Sequence, residues 1–522
     1  MTNRTVIIGA GMGGLASAAL LAARGHDVTL VEKEDWVGGK ARTVEVDGQR
    51  VAAGPTVFTL RDVFDAIFHE CGARLDDYVK IRQAEVIARH SWREGANLDL
   101  FADPVRSEEA VGDFAGAEAA RGFRDFRKAT REMFDVLDKP MLRGDNVSTP
   151  LPLLWRIGLH RFDAFATMRP HQSMWKALGG FFPDPRLQQL FGRYATYCGS
   201  SPFDAPATLM LIAHVEAKGV WLIEGGINAL ANALRDLAKA KGVRFKMGTA
   251  AAQILTDTRG VSGVRLVNGE QFAADSVICN ADPSALAVGK FGRQAQRAVK
   301  PLKREKRSFS ALVWFAHAKA SGFDLQHHNV FFSPDYEREF REIMGGLPPS
   351  DPSVYICAQD RSARANADPL PAGTRERIQI IVNAPANGDI HTYSPEEREQ
   401  CDQAMRATLA RSGLELEHPM PHELATPQEW EGLFPATGGA LYGRASHGWA
   451  ASFLRQGPRT RIPGLYCAGG STHPSAGVPM AALSGQLAAR TIERDLASMK
   501  RFQRVDTPGG TSMRSAQTGS TG

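Results

Sequence analysis

Arg4-Thr-Val-Ile-Ile-Gly-Ala-Gly-Met-Gly-Gly14 stands at the start of the chain, and its reading decides the fold. Residues 5–8, β-branched and apolar, predict a fully buried parallel strand. The strand runs directly into Gly9-x-Gly11-x-x-Gly14, and an Ala/Leu-rich helix follows over residues 15–23. Gly9 permits the tight bend, Gly11 lets backbone approach a pyrophosphate, and Gly14 lets helix and strand pack closely. Phosphate would then meet free N–H groups at the helix start, where the helix dipole favours negative charge. Gly25 is placed to end the helix, and Asp27-Val-Thr-Leu-Val-Glu32 predicts a second strand ending on an acid. A carboxylate there suits the free ribose hydroxyls of FAD or NAD and disfavours the 2′-phosphate of NADP. Residues 6–23 carry no charge, as a membrane span or signal peptide would. The glycines inside that run and the immediate second strand argue against both.

The bulk numbers narrow the function class. The 522 residues leave room for roughly three domains. A net charge of +5, from 62 basic and 57 acidic residues, is too even to point to nucleic acid. The six cysteines are scattered without a C-x-x-C pair, so neither a zinc site nor a disulfide framework is expected, and the setting reads as reducing and cytosolic. His69-Glu70 lacks a second histidine, His327-His328 read as a polar loop, and residues 443–448 only loosely approach a G-x-S-x-G elbow. No metal ligand set is expected.

Working outward, Trp36-Val-Gly-Gly-Lys-Ala-Arg42 offers a second backbone approach at Gly38-Gly39 with Lys40 and Arg42 beside it. It suits the other side of the same pyrophosphate, or else a surface turn with solvated charges. A hairpin over residues 44–51 turns at Asp47-Gly48, and Gly54-Pro55-Thr56 makes a rigid turn able to lie against a ring system. Helices are expected over residues 60–71 and near 107–138. Residues 149–182 set Trp155, Leu159, Phe162 and Phe165 near helical spacing beside Arg156, Arg161, Arg169 and Lys176. That pattern fits a helix lying on a membrane surface or a lid over a pocket. A helix over 228–240, a strand over 242–247, a hairpin turning at Asn268-Gly269 and a buried strand over 274–282 return the chain to the nucleotide-binding layer. Strands over 308–316 and 377–383 and a helix over 395–412 form a second excursion. Residues 500–522, rich in Gly, Ser and Thr, read as a disordered tail.

Gly464-Leu-Tyr-Cys-Ala-Gly469-Gly470-Ser-Thr-His473-Pro474-Ser-Ala-Gly477-Val-Pro479 precedes an amphipathic helix over 480–497. A strand, a glycine turn and a Pro-started helix again aim N–H groups at negative charge. In a flavin site that charge is the N1/O2 edge of the reduced ring, which favours FAD over NAD.

Here the chain resembles the FAD-dependent carotenoid desaturases related to bacterial phytoene desaturase. The matching pieces are Gly9-Ala-Gly-Met-Gly-Gly14, Gly38-Gly39-Lys40, Gly54-Pro55-Thr56, the Glu224-Gly-Gly226 turn and Thr472-His-Pro-Ser-Ala-Gly-Val-Pro479, within a likeness over residues 4–497. The form Ala468-Gly-Gly-Ser471 with Val478-Pro-Met-Ala-Ala-Leu-Ser-Gly485 is most similar to the 1-hydroxycarotenoid 3,4-desaturase branch of photosynthetic purple bacteria. Ser475 and Ala53 depart from the glycine and aspartate usual in that family. The resemblance implies FAD contacts from Gly9, Gly11, Met12, Gly13, Gly14, Glu32 and Lys33. It implies others from Gly39, Lys40, Ala41, Arg42, Gly54, Pro55, Thr56, Ala251, Gly470, Gly477, Val478 and Pro479. Phe58, Trp221, Met480 and Leu483 are expected to line an apolar tunnel beside the ring.

The expected class is α/β: a discontinuous Rossmann-like FAD-binding domain (1–80, 219–299 and 440–499), a helical membrane-facing subdomain (81–218) and a mixed-sheet substrate domain (300–439). The implied activity is insertion of a C-3,4 double bond into acyclic 1-hydroxycarotenoids by hydride transfer to FAD. The alternatives are a phytoene or neurosporene desaturase, a carotene isomerase, a flavin amine oxidase, and a non-enzymatic prenyl-binding escort. No catalytic side chain is assigned, because the cofactor carries the difficult step. The resemblance further implies a cytoplasmic protein held peripherally at the inner membrane, passing electrons to oxygen or a quinone.

Overall fold

A computed structural model describes residues 3–92, 96–144, 171–361, 370–371, 373–448 and 450–503. Its nucleotide-binding layer is a five-stranded parallel sheet in the order Leu465–Cys467, Ser276–Cys279, Arg4–Ile8, Asp27–Val31, Arg244–Lys246. The chain therefore enters this sheet from three distant stretches. Pairing of Ile8 with both Val31 and Cys279, and of Cys279 with Cys467, aligns the carboxyl ends of four strands. That edge is where open α/β sheets bind ligands.

The first helix, Met12–Ala23, is apolar on every side and buried from Met12 through Leu21, as a helix packed on all faces must be. It lies against Ile227–Ala240 and the closing helix Val478–Gln503. The crossing with the closing helix is backbone on backbone. A Cβ on Gly485 would sit 2.1 Å from the Gly13 carbonyl oxygen, and one on Gly13 would sit 2.8 Å from the Ala481 carbonyl.

A second, seven-stranded sheet runs His422–Ala425, Ser310–Ala318, Glu376–Ala384, Val354–Ala358, His328–Phe331, Val86–Ser91, Asn97–Phe101. Only the His328–Phe331 and Val86–Ser91 pair is parallel. This crosses the boundary expected at residue 81: strands of 86–101 belong to the sheet of 300–439. Short segments spaced by charged residues carried no helical or strand period strong enough to separate them from the helical layer. Hydrogen bonds from Gln359 to the Ala52 backbone (2.9 Å both ways) and from Gln379 Nε2 to the Gly54 carbonyl (2.9 Å) dock the Arg42–Val46/Gln49–Ala53 hairpin and the Gly54-Pro55-Thr56 turn on this sheet.

Most expected elements stand within a few residues of their predicted ends, including Arg61–Glu70, Pro395–Arg411 and the turn between Val261–Leu266 and Gln271–Ala273. The helix near 107–138 is Pro104–Leu137, broken at Gly116, whose φ is 88°. The closing helix runs on to Gln503, so residues 500–503 are helical rather than part of a tail; the rest of the expected tail lies outside the described residues. So does most of the 149–182 stretch, of which the structure describes the helix Met174–Leu178. Among the described residues no helix is long and apolar enough to cross a membrane. His327-His328 are not in a polar loop: His328 opens a strand opposite Cys357 and is buried.

The helix crossing generates a stability test. Gly485→Ala pushes backbone against backbone and is expected to cost about 1–3 kcal/mol. Gly432→Ala, a helical position with open space around its Cβ, is expected to be neutral or slightly stabilising. Chemical denaturation of the two variants reads the difference.

Candidate functional site

A cavity of about 940 Å³ opens at the carboxyl ends of the parallel strands and continues beneath the seven-stranded sheet. Its nucleotide end begins at the helix Met12–Ala23, whose N-terminus no side chain caps; Gly11, Met12 and Gly13 line the space. First-turn N–H groups have no carbonyl partner within their own helix, so this end can bind a diphosphate. Gly38 bridges to Gly11, its N–H donating to the Ala10 carbonyl at 2.8 Å. The second glycine pair thus lies directly against the first glycine turn. Gly14 serves the close packing read from sequence: a Cβ there would lie 2.1 Å from the Gly9 carbonyl oxygen.

Glu32 is buried and lines the cavity, accepting from the N–H groups of Ala10 (2.6 Å) and Glu34 (3.1 Å). Burial pushes its carboxyl above the usual range, against the pull of those N–H groups. Lys40 is half-buried, donates to the Leu441 carbonyl and lies 5.2 Å over the Phe434 ring. Burial lowers its pKa to about 8; Asp282 opposes that shift and Arg455 adds to it.

The cavity lining brings together most of the residues named from sequence: Gly9, Gly11, Met12, Gly13, Glu32, Lys33, Gly39, Lys40, Ala41, Gly54, Pro55, Thr56, Ala251, Gly470, Gly477, Val478, Pro479 and Met480. Arg42 lies outside it, with its guanidinium 5.8 Å from the Phe315 ring and 5.7 Å from the Trp430 ring. Among the expected tunnel residues, only Met480 lines the cavity. Phe58 is fully buried edge-on to Phe64 (5.4 Å), Trp221 stacks under Arg61 (5.2 Å) and Leu483 faces the core behind the closing helix. Helical and strand periodicity mark such residues as apolar without telling core from cavity wall.

Several lining residues escaped the sequence reading. Asn280 follows the buried strand Ser276–Cys279, so a polar residue at the end of an apolar strand was the available signal. Its amide covers the glycine turn, 2.7 Å from where a Gly11 Cβ would be, and its Oδ1 is buried with no protein partner. That orphaned acceptor beside an uncapped helix start fits a bound polar group.

Farther in, Arg193, Tyr197 and Glu216 line the cavity and Tyr194 stands behind them. Arg193 Nη2 donates to the Tyr197 hydroxyl (2.9 Å), which donates to Glu216 Oε1 (3.0 Å); the Tyr194 hydroxyl donates to Glu216 Oε2. Burial raises Glu216 above the usual carboxylate range, and Arg193 pulls in the other direction. The one acid within the apolar helix Leu211–Ala217 was the sequence signal here. The Thr56, Tyr355 and His328 side chains form a second chain, with Thr56 Oγ1 2.7 Å from the Tyr355 hydroxyl and that hydroxyl 2.7 Å from His328 Nδ1. Ligand atoms of His327, His328 and Cys357 lie within 4.8 Å of one another. Burial holds both imidazoles neutral, His327 down to about 4, and His327 also bonds the Arg361 carbonyl at 2.9 Å.

Residues 12–493 match the model of the flavin containing amine oxidoreductase family. A hydroxyneurosporene desaturase of Rubrivivax gelatinosus is 48% identical over 99% of this chain and 98% of its own. One of Cereibacter sphaeroides is 44% identical over 95% and 99%. An oxidoreductase from Methanosarcina mazei, 17% identical, shares the fold with a TM-score of 0.57 over 94% of this chain and all of its own. A dinucleotide cradle and an apolar cavity, formed by a chain with these relatives, place the protein among the FAD-dependent oxidoreductases: it belongs to the flavin-containing amine oxidoreductase family and, within it, to the carotenoid desaturases.

Proposed function

We propose that this protein desaturates an acyclic 1-hydroxycarotenoid of the hydroxyneurosporene type at C-3,4, with FAD held along the cavity. The observation that carries the reading is continuity: the nucleotide cradle, the Gly477-Val478-Pro479 helix start and an apolar arm lined by Leu209, Ile212 and Val215 belong to one space. The names of the relatives at 44–48% identity supply the substrate class.

When bound, FAD supplies the two-electron oxidant that takes a hydride from one carbon while a proton leaves its neighbour. The chain's own residues bind, orient and exclude water. The Gly11, Met12 and Gly13 N–H groups, with Lys40 and the Gly38-Gly39 backbone beside them, would hold the diphosphate, and Glu32 would accept from the ribose hydroxyls. Asn280 Oδ1 would accept a hydrogen bond from a hydroxyl of the cofactor's sugar or ribityl chain. The N-terminus of the closing helix would stabilise negative charge on the ring edge, and Gly54-Pro55-Thr56 would back the ring. Apolar walls keep water from the charge that develops on the polyene. An insoluble substrate and the exposed Leu454 beside the cavity-lining Phe453 support a peripheral position on a bilayer, with oxygen or a quinone as the electron acceptor.

Anaerobic incubation of the FAD-loaded protein with 1-hydroxyneurosporene is expected to red-shift the carotenoid spectrum by lengthening its conjugation. A shift with phytoene and none with the hydroxylated polyene reassigns the substrate. Glu32→Gln is expected to weaken FAD binding by about 10- to 100-fold, the worth of a charge-assisted hydrogen bond, read by flavin retention on dilution. Because free Lys40 titrates near 8 and a bound diphosphate raises that value, FAD uptake binds a proton and affinity falls as pH rises through about 8. Titrations from pH ~7 to ~9.5 are expected to lose about tenfold, and Lys40→Met to flatten the profile.

A further inference from the structure

None of the contacts assigned above to the cofactor involves the Arg193–Glu216 cluster, and its position in the cavity calls for a role. Charged groups in an apolar cavity are expensive unless every donor and acceptor is met. Arg193 and Glu216 are 8% and 4% exposed, and the pair has capacity to spare. Arg193 Nε is buried without a partner, and so is the hydroxyl of Tyr336, which lines the same space. A tertiary alcohol fits this set, since it donates one hydrogen bond to a carboxylate and accepts one from a guanidinium or phenol.

Two independent contacts set the cluster at the ring end of the cavity. Cys198, closing the short helix Arg193–Cys198, lies with its Sγ 3.7 Å from Ser475 Oγ in the closing motif. On the other side the Arg193 guanidinium lies 6.0 Å over the Tyr355 ring, and the Tyr355 hydroxyl bonds Thr56 of the Gly54-Pro55-Thr56 turn. In a 1-hydroxycarotenoid only C2 separates the hydroxyl carbon from C3. Whatever grips that oxygen must therefore stand beside the oxidant and not at the far end of the tunnel.

We propose that Arg193, Tyr197 and Glu216 form a receptor for the terminal hydroxyl of the substrate, which sets both the choice of polyene and the bond presented for oxidation. This inference rests on the desaturase reading above and adds its specificity element. A site built to hydrogen-bond a hydroxyl rejects the analogue lacking it, because its own buried groups are then left unpaired. Apolar walls alone discriminate far less.

The test compares 1-hydroxyneurosporene with neurosporene, which lacks the hydroxyl, on FAD-loaded wild type, Glu216→Gln and Tyr197→Phe. Wild type is expected to favour the hydroxylated polyene in kcat/KM by about 100-fold or more. Each variant is expected to lower that ratio about tenfold or more, chiefly through KM for the hydroxylated substrate, with flavin content retained. Tyr197→Phe deletes a single oxygen and carries the test if Glu216→Gln loses its flavin. Ratios within about twofold of wild type in the flavin-retaining variants overturn the receptor. If wild type oxidises neither polyene, the desaturase reading falls by itself, and tryptophan quenching by the two polyenes decides the receptor. Tighter binding of the hydroxylated one, erased by the variants, supports it, and equal binding overturns it.

Discussion

Backbone contact between the first and last helices is the constraint on which the rest depends. Where Gly13 meets Gly485 and Ala481 there is no room for a side chain, so the opening glycine turn and the closing one are held within one ligand's length. Neither turn makes a flavin site alone. In the proposed arrangement the first would offer amides to a diphosphate, and the second a helix start to a ring edge. A single extended cofactor can touch both only because the helices behind them are welded.

The parallel sheet explains why that weld lies where chemistry can use it. Strands from three stretches of chain end level at Ile8, Val31, Cys279 and Cys467, and each is followed by a turn that reaches into the cavity. The seven-stranded sheet supplies the opposite wall. Through Gln359 and Gln379 it grips the hairpin and the Gly54-Pro55-Thr56 turn, so the wall that faces the apolar arm also steadies a turn that lines the cavity. Facing it across the cavity, Arg193, Tyr197 and Glu216 form a buried, charged, hydrogen-bonded cluster. An apolar tunnel excludes water and accepts any polyene of suitable width; a buried polar group within it can demand one.

Much of the cofactor end was legible from residues 4–56 and 464–485, because its determinants are local. A βαβ unit needs its glycines at fixed offsets from its own strand and helix, and Glu32 follows from where the second strand stops. Lys40 was legible as a cation beside the glycine pair, but not its lowered pKa, which depends on burial under Phe434 and Leu441. The substrate end was poorly legible. Phe58, Trp221 and Leu483 are apolar residues near the right segments, yet each faces the core or a neighbouring side chain, while Arg193 and Glu216 sit in the stretch read as a helical membrane-facing subdomain, with neither residue singled out.

By itself, then, the sequence determined the nucleotide-binding unit, the flavin cofactor and the family, since those rest on short motifs whose geometry is complete within a few residues. Tertiary structure alone decided that residues 86–101 join the far sheet and that Asn280 covers the first glycine turn. It also decided that Arg193, Tyr197 and Glu216 converge in one cavity, linked through Tyr355 to Thr56 and through Cys198 to Ser475. Those contacts join residues separated by tens to hundreds of positions, and no local period or spacing encodes which buried face a side chain meets once the layers close.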